Sequence, residues 1–161
     1  VERDALTDAL SRHTMMSFIE CSIADPDLEY ALFAIDLDGF KAVNDEKGHH
    51  VGDRLLADVA SALRSAVRVE DAVGRYGGDE FLVLARVNGQ AGAEALAEHL
   101  RVSITAVAEA AGDQVSASIG YALAPADTRD SMQLLHHADE AMYVAKRQGK
   151  NRAIPWVHAK G

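Results

Sequence analysis

Residues 74–84 read GRYGGDEFLVL, which sets two adjacent carboxylates, Asp79 and Glu80, between a pair of glycines and an apolar run. Asp and Glu are poor strand formers, and a carboxylate beside a core is costly unless something pairs with it. A second acidic pair, Asp36 and Asp38, closes the segment YALFAIDLD, which continues into GFKAVND and brings Lys41 close in sequence. Carboxylates from two strands meeting at one sheet edge suit a divalent cation holding a triphosphate, because hard cations take oxygen ligands and share them with phosphate. Acidic residues are also common in turns, so spacing alone leaves a second reading open, two solvated loop ends.

The elements around these residues follow from hydrophobic period. Residues 30–37 form a nearly unbroken apolar run, the pattern of a strand buried on both faces. A short helix is expected over 40–46, and a long one over 51–69, where Val51, Leu55, Val59, Leu63 and Val67 recur every four residues. Apolar runs at 71–76 and 80–86 flank Gly77-Gly78, a hairpin signal in which glycine takes the positive φ of a tight turn and leaves backbone N–H groups accessible. Helices are expected at 11–24, 90–111 and 131–148, a strand at 114–123 and an edge strand at 152–157. Helices that interleave with strands, one pair of which is antiparallel, predict an α/β or α+β fold with a mixed or antiparallel sheet.

A chain of 161 residues fits one domain with a real core. The net charge of −9 excludes a nucleic-acid polymer as partner, since that needs a basic face, but not a nucleotide bridged by Mg²⁺. Cys21 is the one cysteine, so no internal disulfide forms; it reads as a small buried hydrophobe. Met15-Met16 and Met142-Tyr143 read as core filler, and His49-His50 and His136-His137 as structural or surface residues, since no further ligand completes a transition-metal site. No apolar stretch approaches a membrane span. The chain starts at Val1 rather than Met and is read as a single domain, 1–161, from a longer sensor protein, cytoplasmic and reaching a membrane only through an upstream region.

Five ordered segments carry a resemblance. RYGGDEF resembles the signature of the GGDEF family of diguanylate cyclases, and DLDGFKAVND its D-x-D-x-F-K-x-x-N-D. GHHVGDRLL is similar to G-H-x-x-G-D-x-x-L, SASIGYA to S-x-S-I-G, and ADEAMYVAKRQGKNR to A-D-x-A-M-Y-x-A-K-x-x-G-K-N-R. The resemblance implies a palm-like, nucleotidyl-cyclase fold: a mixed, largely antiparallel five-stranded sheet flanked by helices, with GGDEF on a hairpin. It implies a nucleotidyltransferase that joins two GTP molecules into cyclic di-GMP, releasing two pyrophosphates across a transient or stable two-fold homodimer.

The same resemblance assigns residues. Asp36, the Leu37 carbonyl, Asp79 and Glu80 hold one or two Mg²⁺ (or Mn²⁺) ions. The backbone at Gly39 and Phe40, with Lys41, Lys146 and Lys150, cradles phosphates; Asn44 and Asp53 read the guanine edge, and Gly78 lets the chain approach the nucleotide. Lys146 and Lys150, four apart, share a helix face if the helix extends that far. Arg68 and Asp71, at the end of the long helix, fill the R-x-x-D of an inhibitory product site, to which the fork of an arginine is suited. The helper arginine expected there falls at His99, so Arg101 is taken as its substitute. The opening DALTDALSR is similar to D-x-L-T-G-L-x-N-R, with Asp8 for Gly and Ser11 for Asn. Two rivals stand beside the cyclase: a catalytically weak module that senses cyclic di-GMP or GTP, and a cyclase making mixed dinucleotides, against which Asp53 argues.

Overall fold

The computed structural model describes residues 1–159. Its centre is β1 (Tyr30–Asp38), and alternation along this strand explains its unbroken apolar run. Phe33, Ile35 and Leu37 face one core, whereas Leu32 and Ala34 face another. The sheet has the order β2-β3-β1-β4-β5, with β2 Ala72–Arg75, β3 Glu80–Arg86, β4 Ser116–Ala124 and β5 Arg152–Pro155. Neighbours are antiparallel except β4 and β5, which run parallel. The expected five-stranded, largely antiparallel α+β architecture is therefore what the chain adopts.

On one face, α3 (His49–Ala66) and α4 (Gly89–Ala110) contribute Leu55, Val59, Leu63, Leu100 and Ile104 to the core. On the other, α1 (Arg12–Ile23) and α5 (Ser131–Arg147) contribute Met15, Ile19, Leu134 and Ala138. Two short helices, α2 (Phe40–Lys47) and α6 (Trp156–Ala159), follow β1 and β5. No helix among the described residues is long and apolar enough to cross a membrane.

Four expectations need correction. Helix α3 stops at Ala66, three residues early, because Val67 is extended and the Asp71 carboxylate takes the Arg68 N–H at 3.0 Å. Helix α5 stops at Arg147; Lys150 and Asn151 have φ of 66° and 48°, so Lys150 leaves the helix and shares no helical face with Lys146. The hairpin is wider than a two-glycine turn: Arg75 pairs with Phe81, Tyr76 N–H donates to Glu80 O at 2.9 Å, and neither Gly77 nor Gly78 has positive φ. Cys21 and Tyr143 are exposed; on α1 the inward positions are Met15, Ile19 and Ile23, and Cys21 falls off that stripe.

The two N-terminal departures, Asp8 and Ser11, are each accommodated locally. Asp8 takes the left-handed conformation (φ 60°) that Asp tolerates better than most residues. Ser11 caps α1, its hydroxyl accepting from Thr14 N–H, as an Asn there would.

Candidate active site

Antiparallel register sets Asp36 directly opposite Glu80, and Leu37 N–H donates to Asp79 O at 3.1 Å. Cross-strand partners project to the same side of the pleat. One oxygen from each of Asp36, Asp79 and Glu80 thus lies within 4.8 Å of the others. Crowding shows in their acidity. Burial, followed by the hydrogen-bonded Lys146 that opposes it and the Asp79 charge that adds to it, leaves the Asp36 carboxyl above its ordinary range. Burial and the charges of Asp36, Asp139 and Asp79 likewise push Glu80 up. Lys146 Nζ sits 2.9 Å from Asp36 Oδ2; burial alone would lower its pKa, but the Asp36 pairing outweighs burial and raises it. Three half-buried carboxylates this close, with Asp36 and Glu80 pushed up in pKa, are a site that gains from a hard cation, and their oxygens are the donor type such a cation takes.

Asp38, the fourth acid named from the sequence, is not in this cluster. It is buried and accepts from Ser116 Oγ, Ser118 Oγ and the Asn151 N–H.

Beside the carboxylates lies a cavity of about 410 Å³ lined by Phe40, Lys41, Asn44, Asp53, Gly78 and Asp79, together with His49, Leu56 and Arg75. Six residues expected around one nucleotide therefore share one wall. Close approach of α3 to α2 builds it: a Cβ on Gly52 would lie 1.7 Å from Asn44 Oδ1, a buried acceptor without a protein donor. Gly39 opens α2 with φ 85°, and a Cβ there would meet Gln114 O at 2.8 Å. The N–H groups of the first turn of a helix lack intrahelical partners, so the start of α2 at Phe40 and Lys41 leaves backbone donors free at the wall of this cavity. A larger groove, about 730 Å³ between α3 and α4, lies away from the carboxylates and carries no comparable convergence of groups.

Sequence reasoning missed Arg75. Its guanidinium donates to the carbonyls of Gly77 (3.1 Å) and Gly78 (2.8 Å) and to Asp4 Oδ2 (3.1 Å), which fixes the loop that carries Asp79. The available signal was its place two residues before the glycines. His49 borders the cavity rather than open surface alone, and His137 stacks on Trp156 with centroids 3.7 Å apart.

Arg68 is exposed in the turn between α3 and β2, where Asp71 holds its backbone N–H and also accepts from Arg86 N–H at 3.1 Å. Arg101 does not join them. It pairs with Glu98 and donates to Asn151 Oδ1 at 2.7 Å, beside β5, the opposite edge of the sheet from β2. The substitution of Arg101 for the expected helper arginine is therefore withdrawn.

Comparison with known proteins bears on this geometry. The description "Diguanylate cyclase, GGDEF domain" matches residues 1–152. MucR of Pseudomonas aeruginosa, a bifunctional diguanylate cyclase/cyclic di-GMP phosphodiesterase, is 47% identical over 135 residues, 83% of this chain and 20% of that protein. Diguanylate cyclase DosC of Escherichia coli is 35% identical over 162 residues, 97% of this chain and 35% of that protein. This chain thus spans 20% and 35% of the length of those two curated relatives. Among solved structures, the GGDEF domain of PA1120 (TpbB or YfiN) from Pseudomonas aeruginosa superposes with a TM-score of 0.85 at 33% identity, over 96% of this chain and 94% of that one. A microbial GGDEF domain described with cyclic di-GMP has a TM-score of 0.82 at 29% identity, over 95% of each chain. With the fold, the ordered motifs and a match that runs from the first residue to the start of β5, this chain belongs to the GGDEF-domain family of diguanylate cyclases.

Proposed function

We propose that this domain is an active, GTP-specific diguanylate cyclase. The observation that carries the reading is the meeting of Asp36, Asp79 and Glu80 at the rim of a cavity lined by Asn44 and Asp53. Asp36, the Leu37 carbonyl, Asp79 and Glu80 hold one or two divalent cations, Mg²⁺ or Mn²⁺, which when bound neutralise phosphate charge and stabilise the charge that develops in transfer. Asn44 and Asp53 accept from the guanine ring N–H and amino group, a donor pair that adenine lacks. The backbone of Gly39 and Phe40, with Lys41 and Lys150, receives the triphosphate. Lys146 lies on Asp36 already and needs only to turn its ammonium to a phosphate oxygen.

The 3′-oxygen of one GTP forms a bond to the α-phosphorus of the other. The bond from that phosphorus to the bridging oxygen breaks, pyrophosphate leaves with the electron pair, and the 3′-hydroxyl gives up its proton. Repetition in the opposite sense closes the ring. One domain presents one GTP, so two copies face each other across a two-fold axis, and catalysis is positioning plus charge neutralisation. Exposed Arg68, with Asp71 shaping its turn, binds the cyclic product and restrains the enzyme.

The test is to incubate the protein with GTP, ATP and Mg²⁺ and identify products chromatographically over a range of protein concentrations. The expected result is cyclic di-GMP alone, with a rate per domain that rises with concentration, and at least a hundredfold loss in Asp79→Ala at unchanged circular dichroism. An adenine-containing product contradicts the roles of Asn44 and Asp53. Tight binding of cyclic di-GMP with no product at any concentration makes the domain a receptor.

A further inference from the structure

Asp38 carries more hydrogen bonds than any other carboxylate beside the cluster, and none of them is needed to hold a cation. It is 6% exposed. Its oxygens accept from Ser116 Oγ at 3.0 Å, from Ser118 Oγ at 2.8 and 3.0 Å, and from Asn151 N–H at 3.1 Å, and Oδ1 stands 3.8 Å from Lys146 Nζ. A buried charge so fully satisfied is stable where it is, so the question is what it holds. Two of its partners belong to β4, across the sheet. The third, Asn151, lies in the turn between α5 and β5, where Lys150 and Asn151 both take left-handed backbone that costs non-glycine residues free energy and persists only when neighbours enforce it. Arg101 enforces it from the other side, donating to Asn151 Oδ1 at 2.7 Å. Asn151 is therefore gripped at backbone and side chain by two charged residues from separate elements.

Resting on the cyclase reading above, we propose that Asp38 and Arg101 are positioning residues for the nucleotide's phosphates: together they clamp Asn151 and so fix the backbone of Lys150, whose N–H donates to the Ala145 carbonyl at 3.0 Å, next to Lys146 in the chain. Asp38 adds a second negative charge near Lys146, which keeps that ammonium at the end of β1 rather than in solvent. Neither residue touches substrate. Their effect passes through two lysines, one in the last turn of α5 and one just beyond it, whose long side chains lose rotamer freedom on binding.

The test uses a GTP analogue with an α,β-methylene bridge, which blocks pyrophosphate departure, titrated calorimetrically with Mg²⁺ into the parent, Asp38→Ala, Lys150→Met and the double variant. Hydrogen exchange at the Asn151 amide is measured on the nucleotide-free proteins. Expected are an affinity loss of about tenfold in Asp38→Ala, accelerated exchange at Asn151, and a double variant only about threefold weaker than Lys150→Met alone, the share carried by Lys146, since residues acting through one another are not additive. Were Asp38→Ala to unfold, Asp38→Asn serves: it keeps an acceptor for Asn151 but removes the charge facing Lys146, so affinity should fall about threefold with Asn151 exchange unchanged. A folded Asp38→Ala with parental affinity, an Asp38→Asn with parental affinity, or losses that simply multiply in the double variant would overturn the proposal. A parent that binds no analogue overturns instead the cyclase reading on which it rests.

Discussion

Glu80 shows how residue-level physics sets function against stability. Its carboxyl is half-buried, faces Asp36 across the ladder, and feels Asp139 and Asp79 as well, so ionising it costs more in the fold than in the unfolded chain. A carboxyl whose folded pKa is raised lends stability that is complete below its unfolded value, near 4.5, and is lost as pH rises through the folded value. Glu80→Gln cannot ionise and escapes that cost. With metal chelated at pH 7.5, its Tm is expected roughly 1–2 °C above the parent's by calorimetry, a gap that closes as pH falls to about 4.5, while Mg²⁺ raises the parent's Tm and not the variant's. A variant less stable than the parent at pH 7.5 would show that Lys146, which opposes the rise, outweighs burial and the neighbouring carboxylates. Asp36 behaves differently, because Lys146 at 2.9 Å returns part of the cost of its charge.

At the scale of elements, α2 and the glycine loop are the parts that aim chemistry, and both depend on backbone conformation. Gly39 holds φ 85° against the Gln114 carbonyl, so Gly39→Ala meets left-handed strain and a 2.8 Å contact together. The expected cost is about 1–3 kcal/mol, read as a Tm lower by about 3–10 °C, with turnover reduced beyond what the unfolded fraction explains, because the first turn of α2 shifts from the phosphates. A parental Tm would mean that α2 accommodates the side chain elsewhere.

Much of this was legible in the sequence. The apolar run of β1 announces a central strand, the four-residue spacing of Leu55, Val59 and Leu63 announces a buried helix face, and the ordered motifs name six of the nine residues that line the cavity beside Asp79. What failed was local. Nothing in the pattern at 67–71 revealed that Asp71 would take the Arg68 N–H and stop α3 early. Nothing near Lys150 showed that two non-glycine residues would turn left-handed and end α5, because the residues that hold them, Asp38 and Arg101, are distant in sequence. Arg101 was misplaced for the same reason. Its position along α4 says which turn it occupies, whereas its partner at β5 is set by tertiary packing.

Over the described residues, the sheet gathers the groups of the proposed site at one end. Asp36, Asp38, Gly39, Gly78 and Asp79 cluster where β1 leaves the sheet and the hairpin turns, and α5 supplies Lys146 from above. The N-terminal segment reaches the same end: Asp4 accepts from Thr7 and from Arg75, and Arg75 holds the carbonyls of Gly77 and Gly78. The N-terminal segment is thus joined to the loop bearing Asp79 through charge-assisted hydrogen bonds rather than packing alone. Everything proposed for the domain depends on its three crowded carboxylates gripping a cation that also holds the triphosphate. Crystals grown with Mn²⁺ and the methylene-bridged GTP analogue test this directly by anomalous scattering. The expected result is a Mn²⁺ peak within coordinating distance of Asp36 and of Asp79 or Glu80, with the guanine in the cavity of Asn44 and Asp53; a nucleotide bound with its metal away from these carboxylates would contradict it.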